Sequence, residues 1–137
     1  MTVVADTGAI YALIDASDDW HAPVAAWWER QGNDVVLPVS ILAEVSFLLQ
    51  TRIGAAAEEA FVRAIADGEL VVESLDDEDY PRIADIMRTY RDFPLGFVDA
   101  SVVATAERLE TRDVLTTDRR HFSAVRPRHS RALALFP

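Results

Sequence analysis

Four carboxylates that lie far apart in the chain offer the chemistry: Asp6, Glu44, Asp99 and Asp118. Asp6 ends a short apolar run in Val3-Val4-Ala5-Asp6-Thr7-Gly8, and Asp118 ends another in Val114-Leu115-Thr116-Thr117-Asp118. Asp99 falls in the first turn of a helical stretch, Phe97-Val98-Asp99-Ala100, and Glu44 lies one turn into a second, Leu42-Ala43-Glu44-Val45. Two carboxylates about 4 Å apart repel by about 4 kcal/mol at a moderate effective dielectric. Three or four together are unfavourable, or partly protonated, without a counter-charge. A divalent cation removes that cost, and donors that are all oxygen select Mg²⁺ or Mn²⁺ over softer metals. Such an ion activates water and stabilises charge in phosphoryl displacement.

Each acid also has a structural reading. Asp6 and Asp118 suit helix N-caps, and Asp99 complements a helix dipole. Glu44 has the apolar neighbours Ile41, Leu42, Val45, Phe47, Leu48 and Leu49. It is therefore expected to be half-buried, and no histidine, lysine or arginine lies within a helical turn to pair it.

The elements that must gather these acids alternate along the chain. Thr2–Ala5, Asp34–Leu37, Glu69–Glu73, Asp113–Thr116 and Ala132–Phe136 are predicted as short strands. Helices are predicted over Gly8–Ile14, Trp20–Arg30, Ile41–Arg52, Ala55–Asp67, Asp77–Tyr90 and Phe97–Thr111, with a short turn through Phe122. Ser40 is the expected cap of the third helix and Ser74 or Asp76 that of the fifth. Strands separated by helices form a parallel sheet with helices on both faces, an α/β fold. In such sheets the ligand crevice lies beyond the carboxyl ends of the strands. All four acids are predicted to meet there.

Composition narrows the classes. The chain has 137 residues, suited to a single domain over 1–137. Half are apolar and 26% charged, which excludes wholesale disorder. With no cysteine, a disulfide scaffold, a thiolate zinc site and a cysteine nucleophile are excluded. The net charge of −10 excludes a grip on nucleic acid through overall charge. It is uneven: residues 1–99 carry 6 arginines and 19 acids, residues 100–137 carry 7 arginines and 4 acids. All 13 basic residues are arginine. No basic leader region precedes Asp6 and no apolar run approaches the roughly 18 residues of a spanning helix, so no membrane association and a cytoplasmic location are expected.

The four acidic segments, in this order, resemble those of the PIN-domain family, and within it the VapC-type toxin ribonucleases of type II toxin–antitoxin systems. Val4-Ala5-Asp6-Thr7-Gly8 resembles the family's opening strand and acid, Ser40-Ile41-Leu42-Ala43-Glu44-Val45 its helix with the single glutamate, and Phe97-Val98-Asp99-Ala100 its third acidic motif. Leu115-Thr116-Thr117-Asp118-Arg119-Arg120-His121-Phe122 resembles its fourth. The resemblance covers nearly the whole chain. It implies a PIN-like three-layer fold with a five-stranded parallel sheet of order 3-2-1-4-5. It implies Mg²⁺- or Mn²⁺-dependent endonucleolytic cleavage of RNA by a metal-activated water, leaving 3′-hydroxyl and 5′-phosphate ends.

By the same resemblance Asp6 and Asp99 are the main direct metal ligands, Glu44 and Asp118 complete the cluster directly or through water, and Thr7 and Thr116 support it. Some relatives carry a further acid after the fourth; here Arg119 and Arg120 follow Asp118, as candidate contacts to RNA phosphate or plain surface charge. The family also implies a homodimer and a cognate VapB-type antitoxin, whose basic C-terminal tail would lie across the crevice. The exposed parts of Trp20, Trp27, Trp28, Phe47 and Leu48 are candidate contact surface for either.

Other features invite less. The run Asp76-Asp77-Glu78-Asp79 reads as a solvated first helical turn. His21, His121 and His129 lack the spacing of a zinc site or a nucleophile–histidine pair, although His121 is close to Asp118. Ser101 lacks the strand–turn setting of a nucleophile. A phosphatase of the haloacid dehalogenase type also begins with a strand and an Asp, but it uses a second Asp where this chain has Gly8, and a lysine, which is absent. A catalytically silent PIN-like module that binds RNA or protein is the remaining alternative, and the presence of all four acids weighs against it.

Overall fold

Three consecutive apolar residues, Val3–Ala5, form strand β1 at the centre of the molecule and are buried completely or nearly so. The computed structural model describes residues 1–137. Strand β2 (Val35–Pro38) pairs with β1 on one side, and β3 (Val71–Glu73) lies beyond it. Strand β4 (Asp113–Leu115) pairs with β1 on the other side, with β5 (Ala134–Phe136) outermost. Every pair is parallel and the order is β3-β2-β1-β4-β5. This is the predicted α/β architecture. The direction of winding reverses between β1 and β4, which opens a crevice beyond their carboxyl ends.

Seven α-helices connect and cover the strands: α1 (Thr7–Ile14), α2 (His21–Gln31), α3 (Leu42–Arg52), α4 (Ala55–Ala66), α5 (Asp79–Thr89), α6 (Phe97–Arg108) and α7 (Arg119–Ala124). None is long and apolar enough to cross a membrane. Helix α6 lies deepest. Ala100 to Ala106 are all buried, and the alanines let its backbone approach the sheet. Its buried hydroxyls are satisfied locally: Thr105 Oγ1 donates to the Ser101 carbonyl (2.8 Å), and Ser101 Oγ donates to the Val98 carbonyl (2.6 Å). Trp27 is core, 3% exposed and tilted against Phe136, so it offers no contact surface; Phe47 is 63% exposed and does.

Several local expectations shift. Helix α6 stops at Arg108 rather than Thr111, because Glu110 turns to φ +56° and reverses the chain into β4. Ser40 does not cap α3. It lies in a 3-10 turn, Val39–Ile41, and its hydroxyl meets Ser101 Oγ at 2.5 Å. Helix α5 begins two residues late, and no side chain caps it; instead the Asp79 carboxylate accepts the Asp76 N–H at 2.8 Å.

The acid run before α5 is not wholly solvated. Asp79 is only 3% exposed and both its oxygens face Arg108 Nε, at 3.2 and 3.0 Å. Arg108 also reaches Glu73 (3.1 Å) and the Ser74 carbonyl (2.9 Å). Beside it Arg82 clasps Glu107 through two hydrogen bonds of 2.7 and 2.9 Å. The sequence could not show this, since Arg108 lies 29 residues from Asp79.

Candidate metal centre

The β1–β4 ladder continues one step past the strands, where the Asp6 N–H donates to the Leu115 carbonyl at 2.9 Å. That bond fixes Asp6 at the mouth of the crevice, as the N-cap of α1. Its side chain is 5% exposed and fully engaged: Oδ1 accepts the Thr7 N–H (2.7 Å) and Oδ2 accepts the Thr116 hydroxyl (3.0 Å). Thr116 Oγ1 in turn accepts the Asp118 N–H at 2.9 Å. One fully buried hydroxyl thus ties the first acid to the loop that carries the fourth. The Thr7 hydroxyl donates to Glu44 Oε1 at 2.7 Å, tying the second acid to the first. Gly8 lets α1 come this close, since a Cβ there would fall 2.5 Å from Thr117 Oγ1.

Asp99 comes from the first turn of α6 and Asp118 caps α7, accepting the His121 N–H at 3.0 Å. The structure therefore brings all four acids to the carboxyl edge around β1 and β4. The capping and clustering readings of Asp6 and Asp118 hold together. Glu44 departs from expectation in being exposed. The buried stripe of α3 runs through Ile41, Val45 and Leu49, and Glu44 is turned about 100° away from it.

His121, noted in the sequence only for its closeness to Asp118, joins this group. Its Nδ1 lies 2.7 Å from Asp118 Oδ2 and 3.2 Å from Asp99 Oδ2. The nitrogen is fully enclosed, yet neither contact has hydrogen-bond geometry. Donor atoms of Asp99, Asp118 and His121 all lie within 4.8 Å of one another, whereas Asp6 and Glu44 fall outside that tightest trio. The available signal was the spacing Asp118-x-x-His121, which folds the ring back over the capping acid at a helix start.

The electrostatics show an unbalanced site. Burial pushes the Asp6 carboxyl up to about 7, the negative charge of Asp99 adds to this, and the bonds from Thr7 and Thr116 offset part of it. Burial also raises Asp99; His121 pulls it back, while Asp118 and Glu44 push it further. No arginine pairs with any of the four acids. Arg119 donates instead to the Pro137 carbonyl at 2.6 Å, and the Arg120 guanidinium stands 5.8 Å over the Phe93 ring. Raised carboxyls, an orphaned buried nitrogen and oxygen donors facing one crevice fit a divalent cation.

Comparison with known proteins agrees with this fold. The PIN domain profile matches residues 3–126. Ribonuclease VapC26 of Mycobacterium tuberculosis (strain ATCC 25618 / H37Rv) is 36% identical over 125 residues, 91% of this chain and 93% of that protein. Among solved structures, Mycobacterium tuberculosis VapC20, described as a sarcin-ricin loop cleaving toxin, superposes with a TM-score of 0.76 at 21% identity, covering 82% of this chain and 87% of that one. FitAcB from Neisseria gonorrhoeae superposes with a TM-score of 0.66 at 19% identity over 99% of this chain and 97% of that one. At these identities the two structures speak for the fold.

Proposed function

The chain belongs to the PIN domain family, and on that premise we propose that it is the toxin ribonuclease of a toxin–antitoxin pair, an endoribonuclease dependent on Mg²⁺ or Mn²⁺. The observation that carries the reading is the gathering of Asp6, Glu44, Asp99 and Asp118 at the sheet's switch point with no arginine to neutralise them. The similarity to a protein named as a ribonuclease supplies the substrate class.

When bound, the metal supplies a Lewis acid that lowers the pKa of water and offsets charge at the scissile phosphate. The chain's residues hold and orient. Asp6 and Asp99 would be its main ligands, and Glu44 and Asp118 would complete the set directly or through water. Thr116 locks Asp6 and Asp118 at a fixed separation, and Thr7 does the same for Asp6 and Glu44. Water bonds to phosphorus in line with the 3′ oxygen, whose bond breaks, leaving 5′-phosphate and 3′-hydroxyl ends. Arg120, exposed beside the site, is the better placed of the two arginines to meet phosphate; Arg119 would first release Pro137.

The partners follow from the same reading. A VapB-type antitoxin with a basic C-terminal tail suits a protein of charge −10. Exposed Phe47, on α3 beside Glu44, offers apolar surface at the crevice for that tail or for the second copy in a homodimer. Residues 1–137 act as a single domain in the cytoplasm. The test is to map 5′ ends of cellular RNA after induced expression, beside an Asp6→Ala control. New ends that vanish in the control are expected; no new ends, or the same ends from the variant, would contradict the assignment.

A further inference from the structure

We propose that His121 is a nitrogen ligand of the metal centre, so that this chain presents a mixed nitrogen–oxygen donor set that favours Mn²⁺ over Mg²⁺. The inference rests on the metal-dependent reading above and goes beyond its four carboxylates.

Three observations carry it. First, His121 Nδ1 is enclosed and without a hydrogen-bond partner, although it faces Asp118 Oδ2 at 2.7 Å and Asp99 Oδ2 at 3.2 Å. An enclosed ring nitrogen left unpartnered beside two acid oxygens is a donor in want of a cation. Second, the spacing suits coordination. With bonds of about 2.1 Å, neighbouring corners of an octahedron are about 3.0 Å apart, between the two separations. Third, the ring is held from behind. Phe93 meets it edge-on at 5.2 Å between centroids, and the His121 backbone N–H donates to Asp118 Oδ1. The nitrogen is thus aimed into the crevice before any ion arrives. Imidazole suits transition metals, whereas Mg²⁺ is served by oxygen and water.

Pulsed electron paramagnetic resonance of the Mn²⁺-loaded full chain tests this. Coupling to a directly bound nitrogen is expected, shifting when histidine is labelled with ¹⁵N and disappearing in His121→Ala. In direct titrations the variant should bind Mn²⁺ about tenfold more weakly or worse, with a smaller loss for Mg²⁺. A wild-type spectrum with no bound nitrogen overturns the proposal whether or not the variant folds. So does a variant that binds Mn²⁺ as tightly as the wild type or more so, which would make His121 a cation competing for the carboxylates. Failure of the wild type to bind Mn²⁺ at all would instead remove the metal-centre reading, and this proposal with it.

Discussion

Helix α6 carries an acid cluster at each end, and the two are built in opposite ways. At its first turn Asp99 joins Asp6, Glu44 and Asp118 with no arginine among them. At its last turn Arg108 sits among Glu73, Asp76 and Asp79, and next to it Arg82 holds Glu107. The titration behaviour diverges accordingly. Burial and like charge raise Asp6 and Asp99. Burial acts on Glu107 too, but the bonds from Arg82 and the Arg128 N–H outweigh it and hold its carboxyl below the usual range. The same residue type is structural where the chain supplies its own cation, and free for chemistry where it does not.

The strongest way to break this contrast is to remove one charge at each end. Asp99→Asn should abolish RNA cleavage while circular dichroism and the melting temperature show an intact fold. Arg108→Ala should do the reverse. It leaves Asp79 buried without its partner, and chemical denaturation should show a loss of about 3–5 kcal/mol, while the folded fraction cleaves RNA at the wild-type rate. Loss of stability from the first, or loss of chemistry without loss of stability from the second, would erase the distinction.

Acidity sharpens the comparison further, because the two ends carry opposite signs. Asp6, raised in the fold, favours the folded state when protonated. Without metal, its contribution should be greatest near pH 4 and fall as pH rises to about 7. Three pK units set an upper bound of about 4 kcal/mol, and Asp6→Asn should flatten the profile. Glu107, held low, contributes above the unfolded glutamate range and is lost as acid protonates it. Urea melts of wild type and Asp6→Asn between pH 4 and 8 isolate the Asp6 limb as the difference between the two proteins, while the Glu107 limb falls at lower pH; a metal-free difference that shifts in favour of the wild type from pH 4 to 7 would contradict the assignment. The smallest effect is expected of Gly8→Ala. Its Cβ would press on Thr117 Oγ1 and shift the loop that carries Asp118, so cleavage should fall several-fold with little change in stability, as initial rates would show.

The same contrast explains what the sequence made legible. Strands such as Val3–Ala5 and the acids that directly follow them are local features, so the sheet edge they share could be read from apolar runs. Three readings depended on distant or angular relations and were missed. Glu44 looked half-buried because its sequence neighbours are apolar, but on a helix the adjacent residue Val45 faces another way. Asp79 looked solvated because its partner Arg108 arrives from another helix. His121 looked close to Asp118 but not part of the cluster, because Asp99 is brought to it only by α6.

Calorimetric titration of Mn²⁺ into the metal-free wild type and into Asp99→Asn asks most directly whether the arginine-free end of α6 is built to hold an ion. Saturable binding by the wild type that disappears in the variant is the predicted result. No heat of binding at millimolar metal, or identical isotherms for the two proteins, would show that these acids do not act together on a cation.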